Sequence, residues 1–114
     1  MEILKIAAAL LNIGFGLFAF FQPRLIAENS GFALHGALGR AETRISFGGY
    51  FIGMGVAALI LNEQAAYQLL GAGWLTAGIV RVINMFIEDR SELIAPKWWI
   101  LLASEIGVGL ILLA

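Results

Sequence analysis

The chain has 114 residues, 61% of them hydrophobic and 13% charged, with a formal net charge of -1, one His and no Cys. A water-soluble domain of this length buries too small a fraction of its surface to hide so much apolar area. There is no basic stripe for nucleic acid and no disulfide or thiolate chemistry. A single His leaves little room for a ligated metal or haem, so no metal and no cofactor are expected.

Four apolar runs are the predicted elements, since a membrane span needs about 20 mostly apolar residues. They fall at about 3–21, 40–61, 65–87 and 97–114. The first reads as a retained helix rather than a cleaved leader: Glu2 offsets Lys5, and no small-x-small site follows the apolar stretch. It carries Asn12, an amide able to bond between helices, and Pro23 closes it. The connector from Gln22 to Gly39 has room for a short interfacial helix, with Phe32 and Leu34 dipping into the headgroup layer and His35 a surface residue. The wholly apolar part of the second run begins at Ile45. To reach spanning length it must start near Arg40 and take Arg40, Glu42 and Arg44 in at the membrane edge, with the two arginines sharing a face.

Asn62-Glu63-Gln64 is a tight turn. The third run carries Trp74, Arg81 and Asn84; Arg81 stands six residues before Ile87, about 9 Å from the helix end at 1.5 Å per residue. The connector from Glu88 to Pro96 is short and charged, and Lys97-Trp98-Trp99 reads as an interfacial anchor. Glu105 lies eight residues beyond Lys97, about 12 Å into the fourth run. One side of the membrane would thus carry Arg24, Arg40, Arg44, Arg90 and Lys97, the other only Lys5. The positive-inside rule places the first group in the cytoplasm and both termini outside.

A weak internal repeat runs through the helices. Ile13-Gly14-Phe15-Gly16-Leu17 recurs as Ile52-Gly53-Met54-Gly55-Val56 and as Ile106-Gly107-Val108-Gly109-Leu110, with Leu70-Gly71-Ala72-Gly73-Trp74 a looser copy. Glycines two apart face nearly opposite sides, so each helix could admit a neighbour on either. Gly49-x-x-x-Gly53 adds a helix-dimer pattern. The repeat suggests a duplicated helical hairpin, helices one and two against three and four.

Ionised side chains left toward acyl chains cost about 2.5–3.5 kcal/mol each on insertion scales. Arg81 and Glu105 are therefore expected to meet across helices three and four, with Arg44 and Glu42 closing the cluster from helix two. A planar guanidinium suits bidentate carboxylate or phosphate binding. Three roles stay open for this cluster: a structural clasp, a site for a lipid headgroup or small anion, and a proton relay or catalytic centre at Glu105. No Walker A loop, dinucleotide fingerprint, HExxH or GxSxG motif is present, and no catalytic residue is assigned.

Through Glu42-Thr43-Arg44 with Gly48-Gly49, then Arg81 and Glu105, the chain from about Pro23 onward resembles a family of small bacterial membrane proteins, the domain-of-unknown-function family numbered 4345. The resemblance implies four spanning helices and a bacterial membrane location, and it implies no activity. A remoter likeness to DoxX-like four-helix proteins points to an accessory of a membrane redox complex.

The reading is one all-α domain over 1–114, an integral-membrane four-helix bundle of the bacterial inner membrane. It would act as an accessory subunit of a larger membrane complex or as a lipid or small-anion binder. Its partners would be membrane lipids, a larger complex or further copies of itself. The alternative is a small enzyme or proton-coupled transporter using Glu105 with Arg44 and Arg81.

Overall fold

The computed structural model describes residues 2–89, 91 and 96–114, and every regular element among them is helical. Arg90 and Glu92, both in the charged connector, lie outside the described residues. Four helices are long and apolar enough to cross a membrane: α1 (Glu2–Phe21), α3 (Gly36–Leu61), α4 (Gln64–Ile87) and α5 (Pro96–Leu113). A short α2 (Pro23–Ser30) fills part of the first connector.

The breaks between helices follow from backbone chemistry. Pro23 has no N–H and holds Gln22 out of the helical region, at φ -129°, so α1 ends at Phe21. The same proline then opens α2, where its missing donor would have had no partner anyway. Gly31, at φ +78°, ends α2. There the Phe32 N–H reaches the Ala27 carbonyl at 3.0 Å and the Gly31 N–H reaches that of Glu28 at 3.4 Å, closing a Schellman turn. Phe32 then stacks on Phe47 of α3, with centroids 6.2 Å apart. Its ring is therefore partly engaged by the protein.

The second spanning helix starts at Gly36, four residues before the position read from sequence, so Arg40, Glu42 and Arg44 all lie inside it. Residues Arg44–Gly49 wind as a π-helix. Widening one turn accommodates an extra residue and offsets the faces on either side of it. The widened turn holds Gly48, whose missing side chain allows close approach to α1. Asn62, at φ +46°, and the extended Glu63 then turn the chain into α4. Asn tolerates this left-handed conformation better than most residues, and its Oδ1 accepts from the Tyr67 hydroxyl at 2.9 Å. Beyond α4, the Asp89 carboxylate accepts from the Ser91 N–H and hydroxyl at 3.0 and 2.7 Å. Those bonds hold it below the usual carboxylate range. Their contribution is present at neutral pH and is lost as pH falls through that lowered value.

Two compact units divide the chain. In the first, residues 9–61, α1 and α3 run antiparallel. A Cβ on Gly16 would come within 2.8 Å of the Gly48 carbonyl and the Ile52 N, and one on Gly55 within 3.0 Å of the Ala9 carbonyl. Backbones at that distance pack by van der Waals contact alone, without needing water to drive them together. Asn12 is buried here and donates to the Phe51 carbonyl at 2.7 Å. Phe15 packs on Phe51 with centroids 4.9 Å apart.

The second unit joins 62–114 with the start of α1, up to Ala8. Here α4 and α5 are antiparallel. A Cβ on Gly71 would meet the Gly109 carbonyl at 2.9 Å, and one on Gly109 would meet the Leu75 N at 2.8 Å. Gly78 takes the Ile106 side chain in the same way, and Leu112 is fully buried. Gln68 donates to the Leu113 carbonyl at 3.4 Å at the far end of this pair.

In each copy of the sequence repeat only one of the two glycines is used within its unit. Gly16, Gly55, Gly71 and Gly109 seat a neighbouring helix, whereas Gly14, Gly53, Gly73 and Gly107 meet nothing within 4 Å among the described residues. Gly49 faces only the Arg44 carbonyl of its own helix, at 3.8 Å.

Candidate functional site

Arg81 and Glu105 face each other because of helical spacing on two antiparallel elements. On α4, Gly73, Ala77, Arg81 and Asn84 fall at intervals of four, four and three, which is one face of a helix. On α5, Trp98 and Glu105 are seven residues, or two turns, apart and so share a face as well. Packing these faces together puts the Arg81 Nε 2.5 Å from Glu105 Oε1 and its Nη2 2.9 Å from Oε2. The fork of the guanidinium thus matches both oxygens of one carboxylate. Trp98 covers the cation, its ring centre 4.9 Å from the Arg81 Cζ, an arrangement that favours Arg over Lys. The two side chains are 22% and 12% exposed, so the pair is mostly withdrawn from solvent.

Beside this pair runs an open furrow of about 540 Å³, lined by Gly73, Thr76, Ala77, Val80, Arg81, Asn84, Trp98 and Glu105. Its volume lies in the range of ordinary ligand sites, roughly 300–1,000 Å³. Sequence reading singled out Arg81 and Glu105 but treated Trp98 only as an interfacial anchor. The seven-residue interval between Trp98 and Glu105 was the available signal, because it puts the indole on the ion-pair face. The furrow itself had no sequence signal beyond the small side chains of Gly73, Thr76 and Ala77.

Glu42 and Arg44 belong to the other unit. Glu42 is exposed. Arg44 donates from Nε to the Phe20 carbonyl at 3.1 Å, so its charge sits at the C-terminal end of α1. A cation there satisfies one of the orphan carbonyls and complements the helix dipole. Replacing Arg44 by Met should cost about 1–2 kcal/mol and speed amide exchange in the last turn of α1, with Lys restoring part of the effect. Unchanged exchange at Phe21 and Gln22 would show that Arg44 does not cap the helix.

His35 occupies the position just before α3 and makes no side-chain cap. Asn84 donates from Nδ2 to the Val80 carbonyl one turn back, at 2.9 Å. Among the described residues, no three His, Asp or Glu side chains gather closely enough to hold a metal ion. No family model, no curated protein and no solved structure matches the chain.

Proposed function

We propose that the protein is an integral membrane protein with four spans that acts by binding, as an accessory subunit of a membrane complex or as a receptor for a lipid or small anion. The observation that carries this reading is the closed Arg81–Glu105 pair inside two largely apolar helices. Both charges are satisfied by each other, so neither stands ready as a general base or nucleophile. The pair serves as a clasp that lets the hairpin carry ions through hydrocarbon.

The outward surface supports the same reading. Ile3 and Phe86 are 81% exposed and Ile60 77%, and Phe21, Ile87 and Ile100 are also largely uncovered. Water-soluble monomers rarely present apolar patches on this scale. The resemblance through Glu42-Thr43-Arg44, Arg81 and Glu105 adds the expectation of a bacterial membrane protein. The excess of Arg24, Arg40, Arg44, Arg90 and Lys97 over Lys5 favours both termini on the outer side.

Expression in a bacterium tests this directly. The protein should stay in the membrane pellet after an alkaline carbonate wash, and a phosphatase reporter fused at either end should be active. Purified in mild detergent, it should carry stoichiometric lipid or a foreign subunit. Release by carbonate would overturn the membrane reading. A protein that carries no lipid or partner and binds no small anion would overturn the binding role.

A further inference from the structure

We infer that the furrow on the α4–α5 hairpin is a binding site for one zwitterionic phospholipid, its phosphate at Arg81 and Asn84 and an acyl chain along Gly73, Thr76, Ala77 and Val80. This deepens the proposal above and rests on the hairpin spanning a bilayer.

The order of residues along the furrow matches a lipid in one leaflet. Positions 73, 76, 77, 80, 81 and 84 form a single stripe of α4, about 16 Å long at 1.5 Å per residue. Gly73 lies near the middle of the helix, while Asn84 is three residues from its end. The polar end of the stripe is therefore nearest the membrane surface and the apolar end nearest the midplane. The floor of the apolar part is shallow because its side chains are small. Gly73, Thr76 and Ala77 are all exposed, and a Cβ on Gly73 would meet no atom within 4 Å.

The polar end retains unused hydrogen-bonding capacity. Glu105 engages Nε and Nη2 of Arg81, so the Nη1 edge of the guanidinium is directed away from it. Asn84 uses one amide hydrogen on Val80 and has a second. The indole N–H of Trp98 is buried with no acceptor among the described residues. Phosphate oxygens are acceptors suited to donors of this kind. The Arg81–Glu105 pair sums to zero charge, which gives a net anion no long-range advantage. A zwitterion matches it better, with phosphate on the guanidinium side and ammonium on the remaining lone pairs of Glu105.

The test uses the full chain, reconstituted in nanodiscs of equal phosphatidylethanolamine and phosphatidylglycerol and transferred to mild detergent for native mass spectrometry. One phosphatidylethanolamine should remain per chain. Gly73→Leu and Ala77→Leu fill the apolar floor without touching the ion pair, and should each lower that occupancy about tenfold at an unchanged unfolding midpoint. Equal retention by wild type and both variants would overturn the assignment, as would equal retention of phosphatidylglycerol. Equally tight binding of glycerophosphoethanolamine, which lacks acyl chains, would overturn the lipid in favour of a free phosphate ester. A chain that resists carbonate extraction but holds no lipid would sink this inference and leave the membrane reading standing.

Discussion

Replacing Glu105 by Leu is expected to destabilise the α4–α5 hairpin by about 3 kcal/mol, measured as a shift in reversible unfolding in mixed micelles. The cost arises because Arg81 is then left without its counter-charge in a mostly covered site. Arg81→Met should cost a similar amount for the mirror-image reason. The double variant, Arg81→Met with Glu105→Leu, should recover most of the loss, since two apolar groups of matching volume need no partner. Glu105→Gln should fall between, because the amide oxygen still accepts one of the two guanidinium bonds. Single variants as stable as wild type would show that the pair does not hold the hairpin together.

The second large effect concerns glycines two residues apart. Gly109→Ala should destabilise by about 2–3 kcal/mol, because the added Cβ would lie 2.8 Å from the Leu75 N and 3.0 Å from its Cα. Backbone atoms cannot move aside as a flexible side chain can. Gly107→Ala meets nothing within 4 Å and should leave stability unchanged or raise it by up to about 1 kcal/mol through helix propensity. The same contrast is expected between Gly71→Ala, with the Gly109 carbonyl 2.9 Å away, and Gly73→Ala, with open space. Thermal unfolding of the four variants side by side would decide it. Equal losses at Gly107 and Gly109 would mean the two helices do not pack at the described face.

Much of the helical layout could be read directly from residue order. Pro23 and Pro96, the Asn62-Glu63-Gln64 turn and the length of the apolar runs were sufficient to locate three of the four long helices to within a residue or two. The second was placed four residues late. Its start is polar, from Gly36 through Arg44, and hydropathy is blind to a helix that continues beyond its apolar part. A short helix in the first connector is expected from sequence, and α2 occupies Pro23–Ser30. Phe32 stacks on Phe47, a pairing between residues 15 apart that local sequence does not encode.

The candidate site was legible in part. The meeting of Arg81 and Glu105 is expected from sequence, because a bare ion on an apolar helix is costly in an apolar medium. That each would take both atoms of the other's fork depended on the register of α4 against α5. Close approach at Gly71, Gly78 and Gly109 sets this register. Arg44 was expected to join the same cluster, and the structure shows it donating to a backbone carbonyl at the end of α1. A guanidinium donates to any suitable oxygen, so composition alone does not choose between a carboxylate and a helix end.

What residue order decided by itself was the all-helical character, the breaks between helices, and which side chains are too costly to leave alone in an apolar medium. These are local properties, set by backbone conformation and transfer free energy. Tertiary structure alone decided which glycine of each pair carries a neighbour, which oxygen each arginine meets, and that Trp98 lies over Arg81 beside an open furrow. Those outcomes depend on the rotation and offset of one helix against another. Such degrees of freedom are fixed only when two surfaces meet at van der Waals distance.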